Sequence, residues 1–203
     1  MSIIFSVQNL IARPDGRTAK GEHGQVLVET MVALSMTVIG LVGILTVLNA
    51  SIGLNRVITS QYISSYLAGE GVELAGYRLD NNVFASSGYQ ANLSAGAYVS
   101  TMSANGLALS RLSQGVAQTP AAVFALPDSL VYMGSDSFGN ITYLSSIGGA
   151  PVGASSTPFH RVVFVSWPSS DEAVVNSIVA WQTKGGVIMS VNAEDHFFNW
   201  RKP

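Results

Sequence analysis

The chain has 203 residues, of which 48% are hydrophobic and only 11% are charged, and its net charge is −2. Because a soluble domain carries about a quarter charged residues, this composition indicates a surface that faces lipid or a dry interface. The lack of a basic excess argues against contact with nucleic acid. The absence of cysteine excludes disulfides and thiolate metal sites.

Charges are unevenly distributed near the N-terminus. Several of both signs lie within residues 1–24, Glu29 follows alone, and the next charge is Arg56. Residues 30–55 are therefore uncharged, and about 20 apolar residues in a helix suffice to cross a bilayer. We predict a transmembrane helix over 25–55, with a cytoplasmic N-terminus because cations precede it.

Two ordinary membrane signals are alternatives for this segment. A signal peptide has a shorter apolar stretch, and cleavage after Ala50 would need a small residue where Leu48 stands. A plain membrane anchor fits the length of the stretch. Neither alternative explains Gly24 and Glu29, which flank four mostly apolar residues at its start.

The segment GEHGQVLVETMVALSMTVIGLVGIL resembles the class III signal of type IV pilins and pseudopilins, in which glycine ends a polar leader and one glutamate precedes an unbroken apolar helix. The resemblance implies that a prepilin peptidase removes the leader 1–24 by cutting after Gly24, and methylates Gln25, the new N-terminal residue. It also implies that Glu29 pairs with the α-amino group of a neighbouring subunit and sets the axial register of a filament.

Several features favour a minor pilin. Gln25 stands where Phe or Met is usual, no proline kinks the chain between Gln25 and Arg56, and the leader is long. The run Ile39–Leu48 is similar to that of minor pilins called pilus modification proteins. The resemblance implies as partners other pilin subunits, the prepilin peptidase, the pilus assembly platform of the inner membrane and membrane lipid.

The apolar pattern continues beyond the membrane segment. Ile58, Tyr62 and Tyr66 are four residues apart, as are Ile63 and Leu67, and Leu74 follows Leu67 by one heptad, which predicts one apolar face of a helix. We predict that residues 56–82 form the outer half of the same helix, which ends at Asp80–Asn82. Such a helix is too long for one small domain, so its outer half should pack on the protein's own sheet.

The remaining residues, 83–203, are expected to form the globular head. Residues 85–118 are rich in Ser, Ala and Gly and favour a variable loop region, with a possible short helix before Pro120. Residues 129–203 favour an antiparallel sheet of about four to five strands, which makes the fold class α+β and pilin-like. The predicted strands are Leu130–Met133, Ile141–Leu144, Arg161–Trp167, Ala173–Trp181 and Val187–Val191.

The last residues of the chain are aromatic-dense. Phe197, Phe198 and Trp200 are expected to complete the core, with stacking on a ligand as the alternative. The histidines at positions 23, 160 and 196 are isolated in sequence, so neither a catalytic group nor a metal site is predicted, and no cofactor is expected.

The sequence therefore predicts a structural minor pilin of a type IV pilus-like filament and no enzymatic activity. Its place would be the inner membrane, with the N-terminus in the cytoplasm, and then an extracellular pilus or periplasmic filament. Two alternatives stay open. One is a type II secretion pseudopilin, and the other is a non-pilin, single-pass membrane-anchored binding module.

Overall fold

A computed structural model of the chain describes residues 22–103, 106–135, 139–145, 147 and 149–200. Most of the predicted leader, residues 1–21, lies outside the described residues. The chain divides into two compact units, Met1–Gly53 and Leu54–Pro203.

A single α-helix, α1, runs over Glu22–Phe84 and confirms the long N-terminal helix. In its first part the hydroxyls of Ser and Thr donate back to carbonyl oxygens one turn earlier, such as Ser35 Oγ to Met31 O at 2.7 Å and Thr37 Oγ1 to Ala33 O at 2.8 Å. Thr30 and Thr46 do the same, so the hydroxyl donors of these four side chains are satisfied within the helix.

The helix ends two residues later than Asn82, the last residue of the predicted stop. The side chain of Asn82 is buried, and its amide donates to the carbonyl oxygens of Tyr89 and Ala91 in the following loop. Asn82 therefore fastens the loop to the helix instead of terminating the helix.

The head is a seven-stranded antiparallel sheet with one short helix. The strands are β1 Gly96–Ser103, β2 Gly106–Arg111, β3 Leu130–Ser135, β4 Ile141–Ser145, β5 Ser155–Ser169, β6 Glu172–Gln182 and β7 Ile188–Phe198. Helix α2, Pro120–Ala125, and a 3₁₀ turn, Pro127–Ser129, lie between β2 and β3.

Strand β5 is the centre of the sheet. It pairs with β6 from Phe159 to Ser169, while its other pairings are divided between β3, at residues 155–160, and β1, at residues 163–165. The sheet therefore forks next to Arg161, between the β3 and β1 pairings.

The α+β class and the packing of a long helix on an antiparallel sheet are confirmed, whereas the strand count was too low. The additional strands are the hairpin β1–β2, which falls in the region 85–118 expected to be a loop. The small residues of that region hid the alternation that buries Val99 and Leu109. The short helix expected before Pro120 is also wrong, since α2 begins at Pro120 and is capped by the Thr119 side chain.

The core lies on both faces of the sheet. One face packs against α1 through buried residues such as Leu67, Ala75 and Leu79, and the other packs against Val123 of α2. Gly71 lets α1 approach the sheet closely, because a Cβ there would collide with Ser177 Oγ and lie 2.9 Å from Val163 Cγ2.

Candidate functional site

The predicted processing and assembly residues lie together on the first turns of α1. Gln25 and Glu29 are four residues apart, so their side chains share a face, which Gly24 and Val28 border. All are exposed. A Cβ added at Gly24 would meet nothing within 4 Å, so packing within this chain does not require a glycine there.

Glu29 is the only acidic residue in the segment 25–55, which is otherwise uncharged. Within the described part of the chain, no Lys, Arg or His nitrogen lies within 4.0 Å of its carboxylate. Among the side chains that the structure describes, no cation therefore accounts for the position of this carboxylate.

The first part of α1 is long and apolar enough to cross a membrane. Its most apolar stretch has a mean hydropathy of 2.4, and none of that stretch is buried. Large side chains are exposed along the whole segment from Val26 to Leu54. A soluble chain rarely leaves so much continuous apolar surface in water, so this surface needs lipid or another helix.

Beyond this segment, one face of α1 carries exposed aromatic residues. The stripe of Ile58, Tyr62 and Tyr66, together with Tyr77, lies on the side facing away from the sheet. The sheet instead receives a different face, formed by Ser64, Leu67, Ala68, Gly71, Ala75 and Leu79. The helical period in the sequence was therefore real, but the predicted single face divides into two: Ile58, Tyr62 and Tyr66 lie outside, whereas Ile63, Leu67 and Leu74 pack against the core.

The two tyrosines nearest the membrane segment form one unit. Their rings meet edge to face with centroids 4.8 Å apart, and the hydroxyls of Tyr62 and Tyr66 are hydrogen bonded at 2.8 Å. With Glu70, Glu73 and Tyr143 they line a shallow groove on the helix. The groove combines aromatic surface with carboxylates, which is a chemistry that suits a cation.

Arg161 has a structural role in the head that was not predicted from the sequence. Its side chain is completely buried at the fork of the sheet, and its Nη1 donates to Glu70 Oε2 and to Leu67 O, both at 2.9 Å. Its Nη2 donates to Ser100 Oγ and to Tyr143 O. A signal was present, because Arg161 alternates with Val163 and Val165 and must share their buried face.

The two histidines of the head have opposite environments. Burial lowers the pKa of His160, whose Nδ1 lies 2.8 Å from the hydroxyl of Ser129. That hydroxyl is itself buried, and its single hydrogen is shared between the carbonyl oxygens of Val123 and Leu126, 2.7 and 2.6 Å from Oγ. Since the hydroxyl is enclosed, the Ser129–His160 pair links the 3₁₀ turn to β5 and offers no accessible nucleophile.

The other histidine lies on the exposed side of β7. A hydrogen bond to Glu172 raises the pKa of His196, with Nδ1 and the carboxylate oxygen 2.7 Å apart. Glu194 lies on the far side of the ring, 3.7 Å from Nε2. In the described residues, no group of three or more His, Cys, Asp or Glu side chains is arranged to hold a metal ion.

The aromatic residues at the end of the chain do not all join the core. Phe197 packs against α1, with its ring 2.9 Å from the position of a Cβ at Gly76. Phe198 and Trp200 are exposed, so the expectation that they complete the core is wrong for these two. They line a small cavity at the end of α1, next to Asp80 and Tyr89.

No protein-family model matches this chain, and searches of curated proteins and of solved structures gave no significant match.

Proposed function

We propose that this chain is a structural minor pilin of a type IV pilus-like filament. It is processed after Gly24 by a prepilin peptidase and anchored in the inner membrane with its N-terminus in the cytoplasm. A pilus assembly platform then moves it into the filament. The observation that carries the proposal is a lone carboxylate, Glu29, five residues after Gly24 and at the start of a fully exposed apolar helix.

The position of Glu29 has a physical cost that a partner would offset. An acidic side chain within a spanning helix costs up to about 3 kcal/mol on insertion scales. After cleavage, the new α-amino group of Gln25 on a neighbouring copy is a cation at the same depth. Pairing of that amine with Glu29 relieves both charges and fixes the axial offset between the two helices.

The glycines of the apolar segment support close packing of helices. Gly40 and Gly43 have no neighbouring atom that a Cβ would meet, so neither is required by the fold of one copy. Small residues in apolar helices allow neighbouring backbones to approach, which is how such helices associate without a hydrophobic driving force. The exposed segment is then covered by lipid before assembly and by other copies afterwards.

The first test is the intact mass of the full chain, expressed with and without a prepilin peptidase. We expect the peptidase to remove residues 1–24 and to add one methyl group to Gln25. A Gly24→Leu variant should remain uncut, because the peptidase is the only part of the proposal that needs glycine there. An unchanged precursor mass in the presence of an active peptidase would overturn the proposal.

The second test separates assembly from membrane insertion. Glu29→Gln should leave the processed chain in the membrane but remove it from filaments sheared off the cell surface. Glu194→Gln, a change at an exposed carboxylate on β7, is the matched control and should leave assembly intact. If Glu29→Gln assembles as well as the unmodified chain, Glu29 has no pairing role and a plain membrane-anchored binding module is the better interpretation. A type II secretion pseudopilin would pass the first test and is distinguished by secretion of its substrates.

A further inference from the structure

Resting on this proposed function, we infer that the groove lined by Tyr62, Tyr66, Glu70 and Glu73 receives Arg56 of a second copy of this chain. The groove lies along the edge where α1 meets the sheet, because Leu67 and Tyr143 of β4 line it on one side, while Tyr62, Tyr66 and Glu73 on its other side are exposed. It is therefore open in a single copy.

The exposed face of α1 has the residue spacing and the apolar side chains of a surface that packs against another helix. Successive residues of a helix are rotated by about 100° about its axis. With this rotation, one sector of roughly 100° contains positions 58, 62, 66, 73 and 77. Apart from Glu73 they are Ile or Tyr, and each of these apolar side chains is more than half exposed. Spacings of four and seven residues are those at which one helix packs against another.

The carboxylates in the groove favour binding of a cation. Glu70 already binds Arg161, whereas Glu73 is exposed at the edge of the same groove. Two carboxylates with the rings of Tyr62 and Tyr66 form a surface that favours a guanidinium, which stacks on aromatic faces and pairs with carboxylates. A bare lipid surface, which is anionic on its cytoplasmic side and apolar inside, lacks the cation that this groove needs.

Arg56 is the cation of the described residues that is best placed to enter the groove of another copy. In the ranges that the structure describes, Arg161 is buried, Arg78 donates to Leu109 O and Arg111 donates to Ala95 O. Arg56 and Lys184 remain, and neither forms a hydrogen bond or ion pair with a described residue. Of these two, Arg56 lies on α1 itself, next to the apolar segment and on an exposed position.

The geometry of the helix then sets the offset. The helices of assembled copies run parallel, and each copy in a filament has neighbours at several axial offsets. Arg56 of one copy meets Glu73 of a neighbour displaced along the axis, which is a different neighbour from the one whose amine pairs with Glu29. The displacement spans the 17 residues between them, about 25 Å at 1.5 Å per residue. The contact repeats from copy to copy, because the surface that gives the arginine differs from the surface that receives it.

The test is crosslinking of the full chain in sheared filaments. The chain has no cysteine, so Arg56→Cys with Glu73→Cys introduces the only two thiols. A short thiol-reactive crosslinker should give dimers and a ladder of longer species, while either single cysteine variant should give no ladder. Lys184→Cys with Glu73→Cys is the matched control and should not crosslink.

The second measurement is the filament yield of variants in which the charges at positions 56 and 73 are exchanged. Arg56→Glu and Glu73→Arg should each lower filament yield several-fold, and the double variant should restore it, while Lys184→Glu should have no effect. Crosslinking through position 184 instead of 56, or failure of the double variant to restore yield, would overturn the inference. If cleavage after Gly24 and filament formation are normal but no 56–73 ladder appears, the inference is wrong and the proposed function stands. If neither cleavage nor filaments are seen, the proposed function fails and the inference fails with it.

Discussion

The guanidinium of Arg161 and the carboxylate of Glu70 join the central strand of the sheet to the middle of α1. Nη1 and Oε2 are 2.9 Å apart, the arginine side chain is fully buried, and the glutamate side chain is 28% exposed. The same Nη1 also donates to the carbonyl oxygen of Leu67. One side chain on β5 thus satisfies groups on the helix, on β1 and on β4, at the place where the sheet forks.

Arg161→Ala should strongly destabilise the head. Removing one partner of a buried ion pair costs about 3–5 kcal/mol, because the remaining polar groups lose their hydrogen bonds without regaining water. The measurement is the free energy of unfolding by urea of the fragment 54–203, which forms a compact unit of its own.

Arg111→Ala is the control for that change. Arg111 is exposed and donates to Ala95 O at 3.0 Å, so its loss should cost no more than about 1.5 kcal/mol. If Arg161→Ala costs no more than Arg111→Ala, the buried pair does not hold the helix to the sheet.

Two glycines of α1 should respond to alanine with opposite signs. Gly71→Ala places a methyl group against Ser177 Oγ and Val163 Cγ2, and overpacking of this kind costs roughly 1–3 kcal/mol. Gly69→Ala meets nothing within 4 Å, so it should stabilise the helix by about 0.5–1 kcal/mol. Urea unfolding of both variants checks this, and equal effects would mean that the helix does not approach the sheet at Gly71.

Much of the fold could be read from local pattern. The apolar segment, the helix beyond it and the three strands around Arg161, Ala173 and Val187 have strong periodicity or many β-branched residues, so they were predicted. The hairpin β1–β2 was not, because its Ser, Ala and Gly residues suit loops as well as strands, and tertiary packing of Val99 and Leu109 decides the outcome.

The candidate sites differ in how much of each can be predicted from the sequence. Gly24 and Glu29 are visible in sequence because their spacing and the apolar helix are local features. The groove was not visible, since it depends on which helix face the sheet covers, and the tyrosine stripe alone does not say so. Arg161 could have been found from its alternation with Val163, but its contacts with Glu70 and Ser100 are long-range and need the fold.

The apolar segment should determine where the chain resides. The full chain should stay with membranes after an alkaline wash, while the fragment 54–203 should be released. Replacing Leu41 and Leu45 by Arg adds about 6 kcal/mol to the cost of insertion, so this variant should lose membrane association. Thr59→Arg, which lies beyond the segment, is the control and should remain in the membrane. Release of the unmodified chain by the wash would contradict a membrane-spanning role.

The histidines should titrate on opposite sides of the usual value of about 6.5. Burial lowers the pKa of His160, so its contribution to stability is present above about pH 6.5 and is lost as the pH falls through its folded pKa. The bond to Glu172 raises the pKa of His196, so its contribution is full below about pH 6.5 and is lost as the pH rises through its folded pKa.

NMR titration of the imidazole resonances of the fragment 54–203 measures both values, because His160 and His196 are the only histidines in it. His160 should titrate at the lower pH. Glu172→Gln removes the carboxylate that holds Nδ1 of His196, so it should lower the pKa of His196 and leave that of His160 unchanged. The reverse order of titration, or a shift of both histidines in Glu172→Gln, would contradict the environments that the fold gives them.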